Sequence, residues 1–276
     1  MIPIEDLFED IIVKTMRGRS VTEQQLAAKT GEPRDVLSRL CRGEFCDEGA
    51  LPKVAKALGL DADALLVAAS KAWYPRAVIL EGLEQFNTPY RDMRVNSFLV
   101  FDPEAKVGAC FDTGTDCSPM VKKAEQEGIS VESIFLTHTH NDHIADLNRL
   151  KEKTGNPTVY SNRAEPWPST TLFDEGDTFT IGSLQVETRT TSGHSCGGTT
   201  FVINGLQRPV AVVGDAIFAG SMGGGIVSFA DAWENNLKKI LTLPDETVIC
   251  PGHGPMSSVR EEKKHNPFFA GEFKQA

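Results

Sequence analysis

The sequence has few histidines, no paired cysteine motif and no long apolar segment. Its six cysteines are scattered without a CxxC pair, which favours reduced thiols over a disulfide framework. No apolar run approaches the roughly 20 residues that span a bilayer, and the first ten residues carry acids where a secretory signal carries bases. These absences predict a cytoplasmic protein without a membrane partner.

An excess of basic residues is also absent. The chain carries 28 Lys and Arg against 38 Asp and Glu, a net charge of −10, which excludes a protein that holds a polyanion along its whole surface. Any contact with nucleic acid must therefore be local. At 276 residues and 40% hydrophobic content, the chain is long enough for one large domain and one small domain.

The composition changes near Trp73-Tyr74-Pro75, where we place a domain boundary. Residues 1–74 show helical periodicity without a convincing strand, whereas strands and helices alternate in residues 75–276. The pattern predicts a small all-α domain followed by an α/β domain. In the first domain we expect helices at Ile4–Met16, Thr22–Gly31, Pro33–Gly43, Ala50–Leu58 and Ala62–Ala72.

A short glycine-containing turn, Thr30-Gly31-Glu32, joins the two central helices of the first domain. The surrounding spacing resembles the Cro/C1 (Xre-like) helix-turn-helix family over about 60 residues. The matching motifs are Thr22-x3-Leu26-Ala27-x3-Gly31, Leu37-x2-Leu40-x-Arg42-Gly43-Glu44 and Leu51-x2-Val54-Ala55-x2-Leu58-Gly59-Leu60.

This resemblance implies duplex DNA as a partner, read by the helix that begins near Pro33, and it implies a homodimer. The implied contacts are Arg34, Arg39 and Arg42. Residues 1–75 contain 10 basic and 12 acidic residues, however, whereas a DNA-binding domain usually has a basic face. A helical module for dimerisation or docking is the alternative, because apolar periodicity by itself demands only a core.

Residues 135–144 hold three of the six histidines, each close to an aspartate. The preceding run, residues 131–136, is short and apolar, which predicts a buried strand. Side chains two apart in extended chain point the same way, so His138 and His140 leave the strand on one side. Asp142 stands at the expected N-cap of the next helix. The predicted ligands at this turn are His138, His140, Asp142 and His143.

The remainder of the second domain predicts a layered sandwich of sheets covered by helices on both outer faces. A hairpin is expected over Val95–Phe101 and Val107–Gly114, followed by a helix at residues 118–127. Further strands are expected at 158–161, 178–181, 184–188, 199–203 and 210–213, and helices near 230–242 and 259–265.

Three more loops beside strands each place a histidine or an aspartate next to a glycine: Gly193-His194, Gly214-Asp215 and Gly252-His253-Gly254. Flanking glycines let the backbone fold tightly beneath a centre while the ligand points into it. Any one of these loops is explained by a capped turn or a core histidine. Together with residues 138–143 they predict a single site that uses five of the six histidines.

In this order the four motifs resemble the metallo-β-lactamase fold superfamily, which implies a four-layer αββα sandwich. The tracts Gly214–Ser221 and Leu243–Pro255, with Glu262-Lys263 and Asn266-Pro267-Phe268, are similar to the glyoxalase II-like hydrolases in particular. The resemblance implies two divalent metals. It puts His138, His140 and His194 on the first, Asp142, His143 and His253 on the second, and Asp215 between them.

This resemblance also implies the chemistry. A hydroxide held between two cations is a nucleophile at neutral pH, because the metals lower the pKa of water from about 15.7 toward 7. The implied reaction is hydrolysis of a small-molecule acyl substrate, a thioester first and then other esters or a lactone, with Asp142 and Asp215 as catalytic carboxylates. Imidazole and carboxylate donors suit zinc, and also iron or manganese.

Several features leave alternatives open. Asp112 either supports a ligating histidine or caps a turn, and Cys196, close to His194, could be taken for a thiolate ligand. The glyoxalase II-like family usually has Arg or Lys where this chain has Gly223-Gly224-Gly225. Within the fold, a persulfide dioxygenase with one iron is the rival enzyme. A DNA-binding regulator with a metal-dependent sensing domain is the rival of a different class.

Overall fold

The computed structural model describes residues 1–44 and 49–274; Phe45, Cys46, Asp47 and Glu48, and the last two residues, lie outside the described ranges. The chain begins with five helices and continues with two six-stranded sheets and further helices. The first five helices are α1 (Phe8–Gly18), α2 (Glu23–Thr30), α3 (Arg34–Cys41), α4 (Leu51–Leu58) and α5 (Ala62–Ala69).

Local signals set the limits of these helices. Thr22 caps α2, since its side chain accepts from the amide of Gln25, and Gly31 ends it in the left-handed conformation with φ 73°. The expected start of α1 at Ile4 was wrong. Its first turn is closed by Asp10, whose Oδ2 accepts from the amide of Leu7 at 2.9 Å, so the helix begins at Phe8.

The second part of the chain forms two sheets that pack face to face. The strands of the first, in spatial order, are β1 (Leu83–Tyr90), β2 (Met93–Asp102), β3 (Val107–Phe111), β4 (Ser130–Phe135), β5 (Thr158–Asn162) and β6 (Thr171–Phe173). The second contains β7 (Thr178–Ile181), β8 (Leu184–Thr190), β9 (Thr199–Asn204), β10 (Val210–Gly214), β13 (Val248–Pro251) and β14 (Ser257–Ser258). A small hairpin, β11 (Ile217–Phe218) and β12 (Ser221–Met222), stands beside them.

Helices complete the layers, namely α6 (Ser118–Glu127), α7 (Asn141–Ile144), α8 (Leu147–Lys153), α9 (Phe229–Asn235), a π-helical turn (Asn236–Ile240), α10 (Val259–His265) and α11 (Ala270–Phe273). Phe98 and Phe111 from the first sheet and Phe201 and Val212 from the second share one buried cluster between the sheets. A separate cluster lies between the first sheet and helices α6 and α8. The arrangement is the predicted α/β sandwich with helices on its outer faces.

The first five helices pack against the rest of the chain and share a hydrophobic core with it. Ile12 and Leu26 belong to the same hydrophobic cluster as Val213 and Ile249 of the second sheet and Phe269 near the C-terminus. This shared core crosses the boundary expected at residue 74. The helical region therefore covers the outer side of the second sheet together with α9 and α10.

Polar contacts reinforce this attachment. The amide of Asp61 donates to the carbonyl of Pro267 at 2.7 Å, and Lys274 bridges the carboxylates of Asp61 and Asp63 at 2.7 Å each. No helix within residues 1–44 and 49–274 combines the length and apolarity needed to cross a membrane. Five cysteines are free thiols, Cys41, Cys110, Cys117, Cys196 and Cys250; the prediction for Cys46 falls outside the described residues.

Candidate metal centre

The site lies at the carboxyl ends of two pairs of parallel strands, one pair in each sheet. In the first sheet β3 and β4 are parallel, so Asp112 and residues 136–143, which follow them, emerge at one edge. In the second sheet β10 and β13 are parallel, which brings Asp215 and His253 to the same edge. The carboxyl ends of parallel strands form the usual crevice for a site in such sheets. His194 joins them from the connection between β8 and β9.

The turn after β4 differs from the expected one in two respects. Asp142 is not the N-cap of the following helix; it lies inside the short helix α7, for which His140 takes the N-cap position. The single helix expected after this turn is also divided in two, because α7 ends at Ile144 and α8 begins at Leu147. As a result, the carboxylate of Asp142 is not used by a helix terminus and faces His253, with Oδ2 3.4 Å from Nε2.

Three histidines form the first group, which we call the histidine set: His138, His140 and His194. Nδ1 of His140 lies 3.1 Å from Nε2 of His138 and 3.0 Å from Nε2 of His194. Three ring nitrogens therefore converge on one point, which is the donor arrangement that a divalent zinc-type cation requires.

The second group, which we call the mixed set, consists of Asp142, His143 and His253. Asp215 lies between the two sets. Its Oδ2 is 3.3 Å from Nε2 of His194 and 3.4 Å from Nε2 of His253, and its Oδ1 is 3.4 Å from Nε2 of His143. One carboxylate thus faces histidines of both sets.

The outer ring nitrogens of these histidines are held by the protein, which fixes the direction of the inner ones. Nδ1 of His194 donates to the carbonyl of Gly224 at 2.9 Å, and Nδ1 of His253 donates to the carbonyl of Arg94 at 2.6 Å. Because a carbonyl can only accept, the proton of each ring is on Nδ1 and the lone pair of Nε2 faces the centre. Such support is the usual accompaniment of a ligating histidine.

Asp112 performs the same task for His143. Its Oδ2 lies 2.7 Å from Nδ1 of His143 and also accepts from the hydroxyl of Thr137, while its Oδ1 accepts from the amide of Thr137. The hydroxyl of Thr137 lies 3.0 Å from Nδ1 of His138. Asp112 therefore supports a histidine of each set, which is the first of the two interpretations that the sequence allowed.

Two buried atoms at the centre lack hydrogen-bond partners among the described residues: Nε2 of His143 and Oδ1 of Asp215. In the neutral imidazole that a metal ligand requires, the lone pair of Nε2 would face this carboxylate oxygen in a buried space, where the two repel, and an unsatisfied buried group costs about 1–3 kcal/mol. A cation between them removes both penalties. The residues therefore fit the divalent metals that their chemistry implies.

The charges of the site agree with this fit. Burial lowers the pKa of His138 well below its usual value, which leaves a neutral imidazole as a ligand requires. Burial also opposes the charge on His143, but the carboxylates of Asp215 and Asp112 outweigh it and raise the pKa to about 10. Burial opposes the charge on His253 in the same way, but Asp215 and Asp142 outweigh it and raise the pKa of His253 to about 11. The carboxylates thus attract positive charge to the mixed set, and the proton on each imidazole supplies the charge that a bound cation would supply in its place.

A close approach explains one of the glycines beside the ligands. A methyl group on Gly252 would lie 2.1 Å from Oδ1 of Asp215 and 2.6 Å from Cε1 of His143. Only a residue without a side chain fits beneath the centre at this point. The glycine in Gly252-His253 is therefore required by packing against the site, and not by the turn alone.

Glu165 links two loops of the site, and the sequence did not indicate it. Its Oε1 accepts from the amide and the hydroxyl of Thr139 at 2.7 Å each, and its Oε2 accepts from the amide of Gly197 at 2.7 Å. Burial would raise the pKa of Glu165, but these hydrogen bonds hold it below its usual value. The carboxylate ties the loop of His138 and His140 to the loop of His194. No motif marks it, because its partners are backbone groups distant in sequence.

The remaining candidates lie apart from the centre. Arg34, Arg39 and Arg42 are exposed on and just after α3, and Arg42 forms an ion pair with Glu44 at 2.6 Å. Cys196 is exposed and does not belong to either ligand set.

Comparisons with known proteins agree with this geometry. A sequence model described as the metallo-β-lactamase superfamily matches residues 90–253, more than half of the chain. A β-lactamase hydrolase-like protein of Xylella fastidiosa (strain 9a5c) is 32% identical over 203 residues, which cover 62% of this chain but only 46% of that protein. The chain thus spans about half the length of this relative.

The probable metallo-hydrolase YqgX of Bacillus subtilis (strain 168) is 27% identical over 199 residues, covering 63% of this chain and 91% of YqgX. Among solved structures, the B3 metallo-β-lactamase BLEG-1 is 25% identical with a TM-score of 0.57, covering 68% of this chain and all of that one. On the evidence of the superfamily match, the sandwich and the cluster of histidines and aspartates at its edge, this chain belongs to the metallo-β-lactamase superfamily.

Proposed function

We propose that this protein is a hydrolase that uses two divalent metals to cleave an activated acyl bond, a thioester first and then other esters or a lactone. The observation that carries the proposal is the position of Asp215, whose two oxygens face His143 on one side and His194 and His253 on the other. A buried carboxylate of this kind is suited to link two cations. Similarity to YqgX, which is described as a probable metallo-hydrolase, supports the same reaction class.

The histidine set would hold one metal and the mixed set the other, with Asp215 shared. When bound, such metals supply an acidified water as nucleophile and polarise the scissile carbonyl. Nitrogen and oxygen donors of this kind favour zinc, and they accept iron and manganese as well.

We assign proton transfer to Asp142. Its side chain is 13% exposed, against 8% for Asp215, so it is the site carboxylate more open to solvent. Burial would raise its pKa, but His253 and His143 outweigh this and hold the pKa below its usual value, so the group is ionised at neutral pH. Asp142 would accept the proton of the attacking water and return it to the departing thiolate or alkoxide.

The test is a substrate panel run on protein whose metal content has been measured. The panel contains neutral acyl thioesters, an ester, a lactone and a β-lactam, the last because a structural relative is named a B3 metallo-β-lactamase. We expect thioester hydrolysis, and a loss of at least about a hundredfold in kcat/KM for Asp215→Asn. Asp231→Asn, which removes the same charge from the exposed surface of α9, is the matched control and should leave the rate unchanged.

Two results would contradict the proposal. If the β-lactam is the preferred substrate, the acyl-thioester assignment is wrong. If the protein contains one iron per chain and consumes oxygen with a persulfide substrate, it is a dioxygenase and not a hydrolase.

A further inference from the structure

The small hairpin β11–β12 directly follows the carboxylate that lies between the two ligand sets. It begins at Ile217, two residues after Asp215. At its base the amide of Gly223 donates to the carbonyl of Ala216 at 3.3 Å, and a methyl group on Gly223 would lie 1.7 Å from the carbonyl oxygen of Asp215. A displacement of the hairpin would therefore move the backbone that carries Asp215.

The hairpin and the segment after it also contact one histidine of each ligand set. The ring of Phe218 meets the ring of His253 edge-on, with the two centroids 5.7 Å apart. The carbonyl of Gly224, two residues after the hairpin ends, accepts from Nδ1 of His194 at 2.9 Å. The position of this one element therefore affects ligands of both sets.

Helix α1 of the helical region packs directly on the hairpin. Met222 shares a buried cluster with Ile12 of α1. Nζ of Lys14 donates to the carbonyl of Met222 at 2.6 Å and lies over the ring of Phe218, 5.3 Å from its centroid. Lys14 thus contacts both strands of the hairpin, and one aromatic ring separates it from a predicted metal ligand.

The segment before α1 adds two contacts to the same part of the site. Asp6 forms an ion pair with Lys14 and accepts from the hydroxyl of Ser221 at 2.5 Å. A methyl group on Gly254, the residue after the last predicted ligand, would lie 3.3 Å from the amide nitrogen of Glu5. The N-terminal segment is therefore packed against the hairpin and against the loop that carries the last histidine.

The hairpin is also held by α10. The amide of Gly220 donates to Glu262 at 3.0 Å, and the side-chain amide of Asn266 donates to the carbonyl of Ser221 at 2.7 Å. These bonds fix the turn of the hairpin. The tie at its base, where the chain continues toward His194, is the hydrogen bond from Lys14 to Met222.

Stability does not account for this ion pair. The side chains of Lys14 and Asp6 are only 17% and 12% exposed, so both charges lose much of their hydration. A buried ion pair of this kind adds little net stability, and apolar side chains of similar size often replace it without loss. Its hydrogen bonds are directional, however. Apolar packing alone would let the hairpin slide along α1, whereas bonds to a specified carbonyl and a specified hydroxyl fix its position.

We propose that Lys14 is a positioning residue of the metal centre. Together with Asp6 it acts through hairpin β11–β12, which holds the shared carboxylate and one histidine of each set at the separation that two metals require. The helical region is thereby a working part of the metal centre, whether or not it binds another molecule. The inference rests on the proposed two-metal function, and metal binding tests it independently of any substrate.

The test compares zinc binding by the metal-stripped full-length protein and by a double variant, Asp6→Asn with Lys14→Met. Removing both charges leaves neither one buried without its partner, and Asn still accepts from Ser221. The donor to Met222 is lost. Since loss of the groups that orient metal ligands costs about 10–100-fold in affinity, we expect a fall of about tenfold for this more distant contact. Titration in competition with a chelator of known affinity measures it.

Two single variants make the result specific. Lys14→Arg keeps the charge and a donor for Met222, so it should retain most of the zinc affinity. Lys274→Met removes another lysine that ties the helical region to the rest of the chain, through Asp61 and Asp63, but contacts no residue of the hairpin. It is the matched control and should bind zinc as wild type does. Circular dichroism and the melting temperature of each variant establish that it is folded.

A second measurement follows the histidine rings without metal. In the metal-free protein, the ring nitrogen signals of His194 and His253 should shift in the double variant and stay unchanged in Lys274→Met, as observed by NMR. If the double variant melts at a lower temperature but keeps its zinc affinity and its ring signals, the contacts are purely structural and the proposal is wrong.

The proposal is also wrong if Lys274→Met loses as much zinc affinity as the double variant, because a general loosening of the chain would then explain the loss. Failure of the proposed function is distinguishable from both results. If wild type binds no zinc, the two-metal hydrolase is overturned, and the ring signals of the metal-free protein decide the role of Lys14. Unchanged signals in the double variant then overturn it.

Discussion

Oδ2 of Asp112 lies 2.7 Å from Nδ1 of His143, and both groups are buried. The carboxylate holds the proton of the imidazole on Nδ1, so that Nε2 presents its lone pair to the mixed set. Asp112 itself has a positive φ of 56°, a conformation that is uncommon outside glycine, asparagine and aspartate. The backbone thus adopts an unusual conformation to bring this carboxylate beneath His143.

Replacing Asp112 by Asn tests that relationship. The amide would present an N–H either to Nδ1 of His143 or to the amide of Thr137, so the tautomer of His143 would no longer be fixed. We expect the affinity of the mixed set for zinc to fall by about 10–100-fold, with a smaller change at the histidine set. Metal titration of Asp112→Asn beside the surface variant Asp231→Asn measures both sites. Equal affinities in the two variants would contradict the assignment.

Replacing Glu165 by Gln tests the link between the two histidine loops. Gln keeps the volume, but its amide nitrogen cannot accept from Gly197 or Thr139, so one tie between the loops is lost. We expect weaker metal binding at the histidine set and a lower kcat. The mixed set should be unaffected, because the hydrogen bonds of Glu165 go to Thr139 and Gly197 and not to His143 or His253. A uniform loss at both sets, accompanied by a lower melting temperature, would instead indicate a purely structural residue.

The buried carboxyl group of Glu262 should make the free energy of unfolding depend on pH. It is fully buried, and burial raises its pKa from 4.5 to about 7, although it accepts from the amide of Gly220 and the side-chain amide of Asn266. The folded state therefore binds this proton more tightly than the unfolded state. Stability must fall as pH rises from 4.5 to 7, by roughly 3 kcal/mol for the full shift.

Glu262→Gln removes this titration. Since Gln is neutral and can still accept from Gly220 and Asn266, we expect the variant to unfold at a higher temperature than wild type at pH 8. At pH 5 the two proteins should differ little. Thermal unfolding at the two pH values is the measurement. A variant that is destabilised equally at both values would show that the buried charge is not the source of the effect.

DNA binding by the helical region remains a prediction. The ion pairs at the end of α3 indicate which substitutions test it. Arg42 is paired with Glu44 at 2.6 Å, and Arg39 lies 4.0 Å from the same carboxylate, so little positive charge faces outward. We therefore expect weak duplex binding by wild type at low salt and tighter binding by Glu44→Gln, with Arg34→Ala weaker than either. Fluorescence anisotropy across a salt series measures this. If Glu44→Gln does not bind duplex DNA even at low salt, the prediction of DNA binding is wrong, and the helical module for dimerisation or docking stands in its place.

The sequence predicted that the four candidate loops converge because each carries histidine or aspartate, three of them next to glycine, and three follow or adjoin apolar runs that read as strands. It located β4 and α6 closely and brought His138 and His253 into one site from their glycine and aspartate neighbours. It missed β1, β6 and β13, which are a polar edge strand, a three-residue strand and a short strand within a proline-flanked loop.

Features that depend on contacts between distant segments could not be predicted. Glu165 acts through backbone amides, so no side-chain motif identifies it. The predicted start of α1 was wrong because Ile4 and Leu7 extend the helical spacing of apolar residues into a segment that precedes the helix. The union of the helical region with the second sheet also has no sequence signal, because the same apolar faces would suit an isolated helical bundle.

We propose that Asp215 joins two metal sites, and the number of metals bound per chain tests this role most directly. Metal-stripped protein titrated with zinc, with bound metal counted by native mass spectrometry, should take up two ions. Asp215→Asn should bind fewer than two with comparable affinity, because the shared carboxylate is lost. A wild-type chain that binds one ion or none, or an Asp215→Asn variant that still binds two with unchanged affinity, would contradict the account.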